Sequence, residues 1–213
     1  MRLFKSRSFT LSERISFYID GYNLYNGIRD AFGKKWLWLD LGGLCADIAK
    51  PGQVIEKIHY CTAQMKSNPG SRSRQDAYLG ALQSVPNYRR HLGRFQDNPR
   101  FCRCGHLVGR YSEKQTDTRV ASLMVADAMA NRTDVLALIG GDEDFVPPIQ
   151  TIRQECPDKV VVVCLPPNRK CGKLTKINRK PSVDISEQML RSNQLPKTVR
   201  VKGKDFSRPT EWA

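Results

Sequence analysis

The chain has 213 residues, of which 40% are apolar and 26% are charged, a composition typical of globular proteins and too apolar for a disordered one. It contains no run of about 18 uninterrupted apolar residues, which excludes a membrane-spanning helix. The formal net charge of +14 attracts phosphate backbones, although a solvated basic surface has the same composition.

Apolar periodicity and turn signals predict strands and helices in alternation. In chain order we predict a strand over Arg14–Ile19, a helix over Asn23–Phe32, a strand over Val54–Thr62, a helix over Arg74–Val85, an extended segment over Phe101–Tyr111, a helix over Asp117–Met129, a strand over Val135–Ile139, a helix over Phe145–Glu155 and a strand over Val160–Leu165. The last two strands are continuous apolar runs, typical of strands that are covered on both faces. The fold class is therefore α/β, with a mostly parallel sheet flanked by helices.

Charge and composition divide the chain into three parts. We expect an N-terminal extension over residues 1–13, an α/β domain over 14–165, and a basic C-terminal extension over 166–213 that packs on the domain or trails from it. The last part has twelve basic and four acidic residues and one predicted short helix, near Ser186–Arg191. Residues 1–13 lack the apolar run of a secretion signal, and the seven cysteines are irregularly spaced, so we expect a cytoplasmic location.

Four aspartates occupy positions where a site can form in such a sheet. Asp20 follows the first strand, Asp142 and Asp144 follow Val135–Ile139, and Asp117 begins a helix. Each could simply cap a helix or shape a turn. Because sites form beyond the carboxyl ends of parallel strands, the four could also converge, and their repulsion would then call for a cation. Carboxylate oxygens suit Mg²⁺ or Mn²⁺, which can activate a water against a phosphodiester.

Three motifs occur in order: FYIDGYNLY at residues 17–25, EKQTD at 113–117 and IGGDEDFVP at 139–147. Together they resemble the NYN domain family, a branch of the PIN-like nucleases, and the segments at 192–196 and 208–212 resemble the ends of bacterial members. The resemblance implies a PIN-like three-layer sandwich. It also implies a Mg²⁺- or Mn²⁺-dependent endoribonuclease that hydrolyses RNA.

Carried over by motif position, Asp20, Asp117, Asp142 and Asp144 are the catalytic and metal-ligating candidates. Asn23 would hydrogen-bond near the metal or the scissile phosphate, and Lys114 would touch a phosphate, unless it is only a solvated lysine. Relatives often have Ser or Ala where this chain has Gly140–Gly141. Asp127, acidic in many relatives, lies ten residues past Asp117, roughly 15 Å along a straight helix, and is left out of the metal site.

Two alternatives remain open. The chain could be an RNA-binding module that keeps the PIN-like fold with little or no catalytic activity, although a pure binder has no physical reason to keep four repelling aspartates. DNA is a second possible substrate. Cys102, Cys104 and His106 could contribute to a zinc site, but no fourth ligand follows them, and half-buried cysteines are the default interpretation.

Overall fold

The computed structural model describes residues 12–65, 68–97, 100–101, 104, 107–108, 111–177 and 181–212. Its α-helices are α1 Gly21–Phe32, α2 Leu41–Ile48, α3 Pro69–Ala81, α4 Thr116–Met129, α5 Val146–Glu155, α6 Gly172–Ile177 and α7 Glu187–Ser192. Its strands are β1 Glu13–Asp20, β2 Gln53–Ala63, β3 Tyr88–Asp97, β4 Arg100–Phe101, β5 Leu107–Val108, β6 Tyr111–Lys114, β7 Val135–Ile139, β8 Val160–Leu165, β9 Val183–Asp184, β10 Thr198–Val201 and β11 Lys204–Ser207.

The main sheet has the strand order β6-β3-β2-β1-β7-β8-β9. All neighbours run parallel except β6, which is antiparallel to β3 at the edge. Strand β1 lies at the centre, paired with β2 on one side and β7 on the other. The predicted α/β class with a mostly parallel sheet is therefore confirmed.

Side chains alternate between the two faces of the sheet and build two apolar cores. On β1, Phe17 and Ile19 pack against α1, α2 and α3, whereas Tyr18 faces the core formed with α4 and α5. Every residue of β7 is buried, as its unbroken apolar sequence predicted. The helices thus form a layer on each side of the sheet, which is the three-layer sandwich.

The predicted bounds of β7 and β8 match the structure, and α4 begins one residue earlier than predicted. Strand β3 and helix α2 were not predicted. Most of the extended segment predicted over Phe101–Tyr111 lies outside the described residues. Among the described residues, no helix is both long and apolar enough to cross a membrane.

The C-terminal part of the chain packs closely on the sandwich. Strand β9 extends the main sheet beside β8, and the helix predicted near Ser186–Arg191 is found as α7. The β10–β11 hairpin lies against α3. Trp212 is buried, with its ring centroid 6.4 Å from that of Trp38 and 6.0 Å from that of Tyr78. Residues near the two ends of the chain therefore share one core.

Candidate active site

The carboxyl ends of β1 and β7 meet at one edge of the sheet. Ile19 pairs with Ile139, so Asp20 and the loop that follows β7 emerge side by side. A Cβ placed on Gly140 would lie 3.6 Å from the Asp20 Cβ and 3.1 Å from the Phe145 ring. A side chain at Gly140 would therefore be crowded by Asp20 and Phe145.

Each of three aspartates also has a local structural role. Asp20 caps α1, where its Oδ1 accepts hydrogen bonds from the backbone N–H groups of Tyr22 at 3.1 Å and Asn23 at 3.0 Å. Asp142 accepts one from the N–H of Asp144 at 3.1 Å. Asp117 lies in the first turn of α4. These aspartates can therefore cap helices or shape turns and also belong to one site.

The pKa of Asp117 reflects both its burial and the other carboxylates of the cluster. Partial burial and the negative charges of Asp142 and Asp144 raise the pKa of Asp117, and a hydrogen bond between the Asp117 and Asp20 carboxyl groups opposes that rise. Asp20 is the most enclosed of the four, with 4% of its surface exposed, and Asp144 is exposed. The structure thus brings the four predicted carboxylates within electrostatic range of one another.

Asn23 connects two elements of this site. Its Oδ1 accepts a hydrogen bond from the backbone N–H of Gly141 at 3.1 Å, which holds the loop carrying Asp142 against the start of α1. A side chain at Gly141 would collide with the backbone of Arg169. The loop is therefore held from both sides.

Lys114 lies at the end of β6, two residues before α4 begins, and is exposed. Together with Arg94 and Arg119 it lines an open cleft, which we call the basic cleft. Gln115, Thr118 and Ser122 complete its wall. Because Thr118 directly follows Asp117, the basic cleft adjoins the carboxylates.

The family model of the NYN domain matches residues 14–176 of the chain. The chain belongs to the NYN domain family. A solved structure of a protein of unknown function from Vibrio parahaemolyticus superposes with a TM-score of 0.54 at 20% identity, over 83% of this chain and 94% of that chain, which shows the shared fold. No curated protein matches the chain significantly. The NYN assignment identifies the sandwich as PIN-like, the fold of a family that is generally nuclease-like.

The NYN carboxylates fit a divalent cation by their chemistry. They offer only hard oxygen donors, and the pKa of Asp117 is raised first by burial and then by the negative charges of Asp142 and Asp144. In the described segments, no lysine or arginine forms an ion pair with Asp117, Asp142 or Asp144. Nor are three His, Cys, Asp or Glu side chains of these segments already gathered in a metal-ligating arrangement.

The cysteines give no support for a zinc site. Cys104 is disulfide-bonded, so its sulfur is not the thiolate that zinc takes as a ligand. Cys102 and His106 lie outside the described residues. Cys164 is buried in β8, as the core interpretation of that strand predicted.

Sequence analysis missed a polar network behind the site. Asp127 is buried and accepts hydrogen bonds from the Tyr18 hydroxyl and from Arg132 Nη1, both at 2.9 Å. The His59 Nε2 atom lies 3.2 Å from Asp127 Oδ2, and His59 Nδ1 is 2.9 Å from His91 Nε2. Tyr18 precedes Asp20 by two residues on β1, so the network lies on the same face of the sheet as Asp20. Only the strand register brings these residues together, and local sequence contains no signal for it.

Ionisation in this network follows from its contacts. The nearby His59 ring and the hydrogen bonds from Arg132 and Tyr18 outweigh burial and lower the pKa of Asp127. Burial and the adjacent Asp127 carboxylate raise the pKa of Tyr18. Burial, reinforced by the interactions with His59 and Arg119, lowers the pKa of His91 to about 4. Asp127 thus acts as a buried anion that accepts hydrogen bonds from Tyr18 and Arg132 and lies 3.2 Å from His59 Nε2.

A second feature missed in the sequence is a cavity of about 250 Å³ on the α1–α3 face of the sheet. We call it the aromatic cavity because five aromatic side chains line it: Tyr22, Tyr25, Tyr60, Tyr78 and Trp212. Its wall begins at Gly21, directly after Asp20. The tyrosines in the first motif were the only local signal for it, since the other rings come from distant segments.

Proposed function

We propose that this NYN protein is a metal-dependent endoribonuclease that hydrolyses RNA at the cluster of Asp20, Asp117, Asp142 and Asp144. The observation that carries the proposal is that four carboxylates from three separate segments lie within electrostatic range, where Asp117 interacts with the other three. A structural role alone would not require this concentration of negative charge in a chain with net charge +14.

In this proposal the four aspartates hold Mg²⁺ or Mn²⁺. Such a cation would lower the pKa of an attacking water and stabilise the leaving oxygen of a phosphodiester. Asn23 keeps the loop that carries Asp142 in place through its bond to Gly141. Lys114, Arg94 and Arg119 bind backbone phosphates in the basic cleft, which adds salt-sensitive affinity independent of sequence.

The test compares cleavage of a labelled single-stranded RNA by the wild type and by Asp142→Asn, with Mg²⁺, with Mn²⁺ and with EDTA. Glu143→Gln is the matched control, because Glu143 is the neighbouring carboxylate and pairs with Lys173 outside the cluster. We expect metal-dependent cleavage by the wild type and by Glu143→Gln, and none by Asp142→Asn. Equal cleavage by Asp142→Asn would refute the site. A parallel single-stranded DNA establishes whether the 2′-hydroxyl is required.

An RNA-binding protein without catalytic activity is the second candidate. The basic cleft supports it, since three cations could hold phosphates without any help from the carboxylates. Tight, salt-sensitive RNA binding with no cleavage in either metal would favour this candidate. A cytoplasmic location and the division of the chain at residues 13 and 165 stay predictions.

A further inference from the structure

The aromatic cavity has the size and lining of a site for one planar group. Its volume of about 250 Å³ is below the about 300–1,000 Å³ typical of pockets that enclose drug-sized ligands. Tyr78 meets both Tyr60 and Trp212 edge to face, with centroids 6.5 and 6.0 Å apart. Tyr22, 41% exposed, stands at the rim. Aromatic walls of this kind bind nucleobases by stacking, whatever their sequence.

Polar groups on the wall complement the edge of a base. Thr62, Ser71 and Gln75 line the cavity with hydroxyl and amide groups. The Gln75 amide already donates to the Ala63 carbonyl and accepts from the Met65 N–H, and Ser71 Oγ accepts from Arg74. The Ser71 and Thr62 hydroxyls keep the capacity to donate to or accept from the edge of a base.

The two arginines of the cavity are already engaged. Arg74 pairs with Glu211 at 2.9 Å, and Arg29 pairs with Asp30 at 2.9 Å while lying over the Tyr25 ring. These carboxylates reduce the attraction of the cavity for a phosphate. By contrast, the described segments contain no ion pair at Arg94, Lys114 or Arg119 in the basic cleft. Phosphates therefore fit the basic cleft, and a base fits the aromatic cavity.

Two of the carboxylates adjoin these features along the chain. Asp20 leads directly into Gly21 and Tyr22 of the aromatic cavity, and Asp117 leads into Thr118 and Arg119 of the basic cleft. The Asp20 carboxyl group also interacts with that of Asp117. One strand crossing this edge of the sheet can therefore reach both features while its backbone passes the aspartates.

We propose that the aromatic cavity binds one unpaired base of the RNA, beside the bond to be cleaved, which makes single-stranded RNA the substrate class. This inference depends on the proposed function for its choice of ligand. A base inside a duplex is paired and stacked and cannot enter the cavity. Recognition of the base face requires no particular sequence, so the strand state of the RNA and not its sequence governs affinity.

The test measures binding without cleavage, by fluorescence anisotropy in EDTA. Three labelled RNAs of equal length are compared: a single strand, its duplex, and a single strand with abasic sites throughout. Tyr22→Ala removes the rim ring, and Ser71→Phe fills the cavity from α3. Each should weaken single-strand binding about five- to a hundredfold, the effect of losing one stacked base, and leave duplex and abasic binding unchanged. The salt dependence should also stay the same, because no phosphate contact is lost.

Two controls separate this site from others. Trp36→Ala removes an aromatic ring outside the cavity, held by Lys35 and Glu187, and should leave single-strand binding unchanged. Lys114→Ala should weaken the binding of all three RNAs and reduce its salt dependence.

Unchanged melting temperatures verify that the variants fold. Wild-type single-strand binding by both folded cavity variants, or an equal loss for the abasic strand, would overturn the inference. Because EDTA prevents metal-dependent cleavage, the result is independent of whether the protein is a nuclease.

Discussion

The Asn23 side chain and the Gly141 backbone, 118 positions apart, are joined by a hydrogen bond of 3.1 Å. This bond ties the first turn of α1 to the loop after β7, and so ties the segment carrying Asp20 to the one carrying Asp142. We predict that Asn23→Ala lowers the free energy of unfolding by about 1 kcal/mol, since the bond is lost and Gly141 is only half-buried. Cleavage should fall more steeply, because the loop is no longer held.

Asn26, one turn along α1, supplies the control for that prediction. Its Oδ1 is buried without a hydrogen-bond partner among the described residues. Asn26→Ala should therefore be neutral or slightly stabilising in a urea titration. Equal losses for the two variants would mean that the Asn23 bond has no special role.

Asp117→Asn should remove activity and yet raise stability in the absence of metal. It removes a negative charge from a site where burial and two other aspartates raise the pKa of the carboxyl, and the new amide can donate a hydrogen bond to Asp20. We expect a higher melting temperature in EDTA, by about 2–4 °C for each kcal/mol of relieved repulsion.

The same variant should respond less to metal. A cation held by the carboxylates stabilises the folded wild type by about 2.7 kcal/mol at a hundred times its dissociation constant. Adding Mn²⁺ should therefore raise the melting temperature of the wild type more than that of Asp117→Asn. Identical Mn²⁺ shifts would contradict the assignment of Asp117 as a ligand.

Stability should decrease as the pH falls from about 6.5 toward about 4. Burial and neighbouring positive charges lower the pKa of His91 from 6.5 to about 4, so the unfolded chain binds this proton more readily than the folded one throughout that window. Protonation therefore favours unfolding as the pH drops. Urea titrations at several pH values should show the decline, and His91→Gln should reduce its slope. A steeper slope in His91→Gln would show that the sign is wrong.

The buried carboxylate of Asp127 should depend more on Tyr18 than on Arg132. Tyr18→Phe removes a buried hydrogen bond to a charged acceptor and should cost about 1.5–3 kcal/mol of unfolding free energy. Arg132→Met removes an ion pair whose arginine side chain is 56% exposed, and should cost at most about 1 kcal/mol. Chemical unfolding of both variants measures the two losses. A larger loss for Arg132→Met than for Tyr18→Phe would mean that the network depends mainly on charge.

Lysine and arginine substitutions can separate the basic cleft from the C-terminal part of the chain. Replacing Lys114 should lower the slope of log affinity against log salt by about 0.7 for single-stranded RNA. Replacing Lys202 and Lys204, at the β10–β11 turn, tests in the same assay whether the basic residues of 166–213 also contact RNA. Deleting those residues is a poorer test, because it removes the buried Trp212 and strand β9 with the charges. A slope unaffected by Lys114 replacement would exclude it as a phosphate contact.

Sequence patterns predicted strands correctly where a run of consecutive apolar residues is buried. The unbroken apolar runs of β7 and β8 predicted both strands with their observed bounds. Helix α2 was missed because Gly42 and Gly43 disfavour a helix locally. The reason for a glycine at position 43 is tertiary, since a side chain there would collide with Asn193. Strand β3 was missed because Arg89, Arg90 and His91 resemble an exposed loop until pairing with β2 places them in the sheet.

The sequence by itself determined the α/β class and the positions of Asp20, Asp142 and Asp144 just after strands, since both depend on residues adjacent in the chain. The tertiary structure alone decided which distant segments meet. It joined Asp117 to Asp20, buried Asp127 among Tyr18 and His59, and brought Trp212 from the last described turn to the wall of the aromatic cavity. Such contacts arise from strand order and helix packing, which local periodicity does not encode.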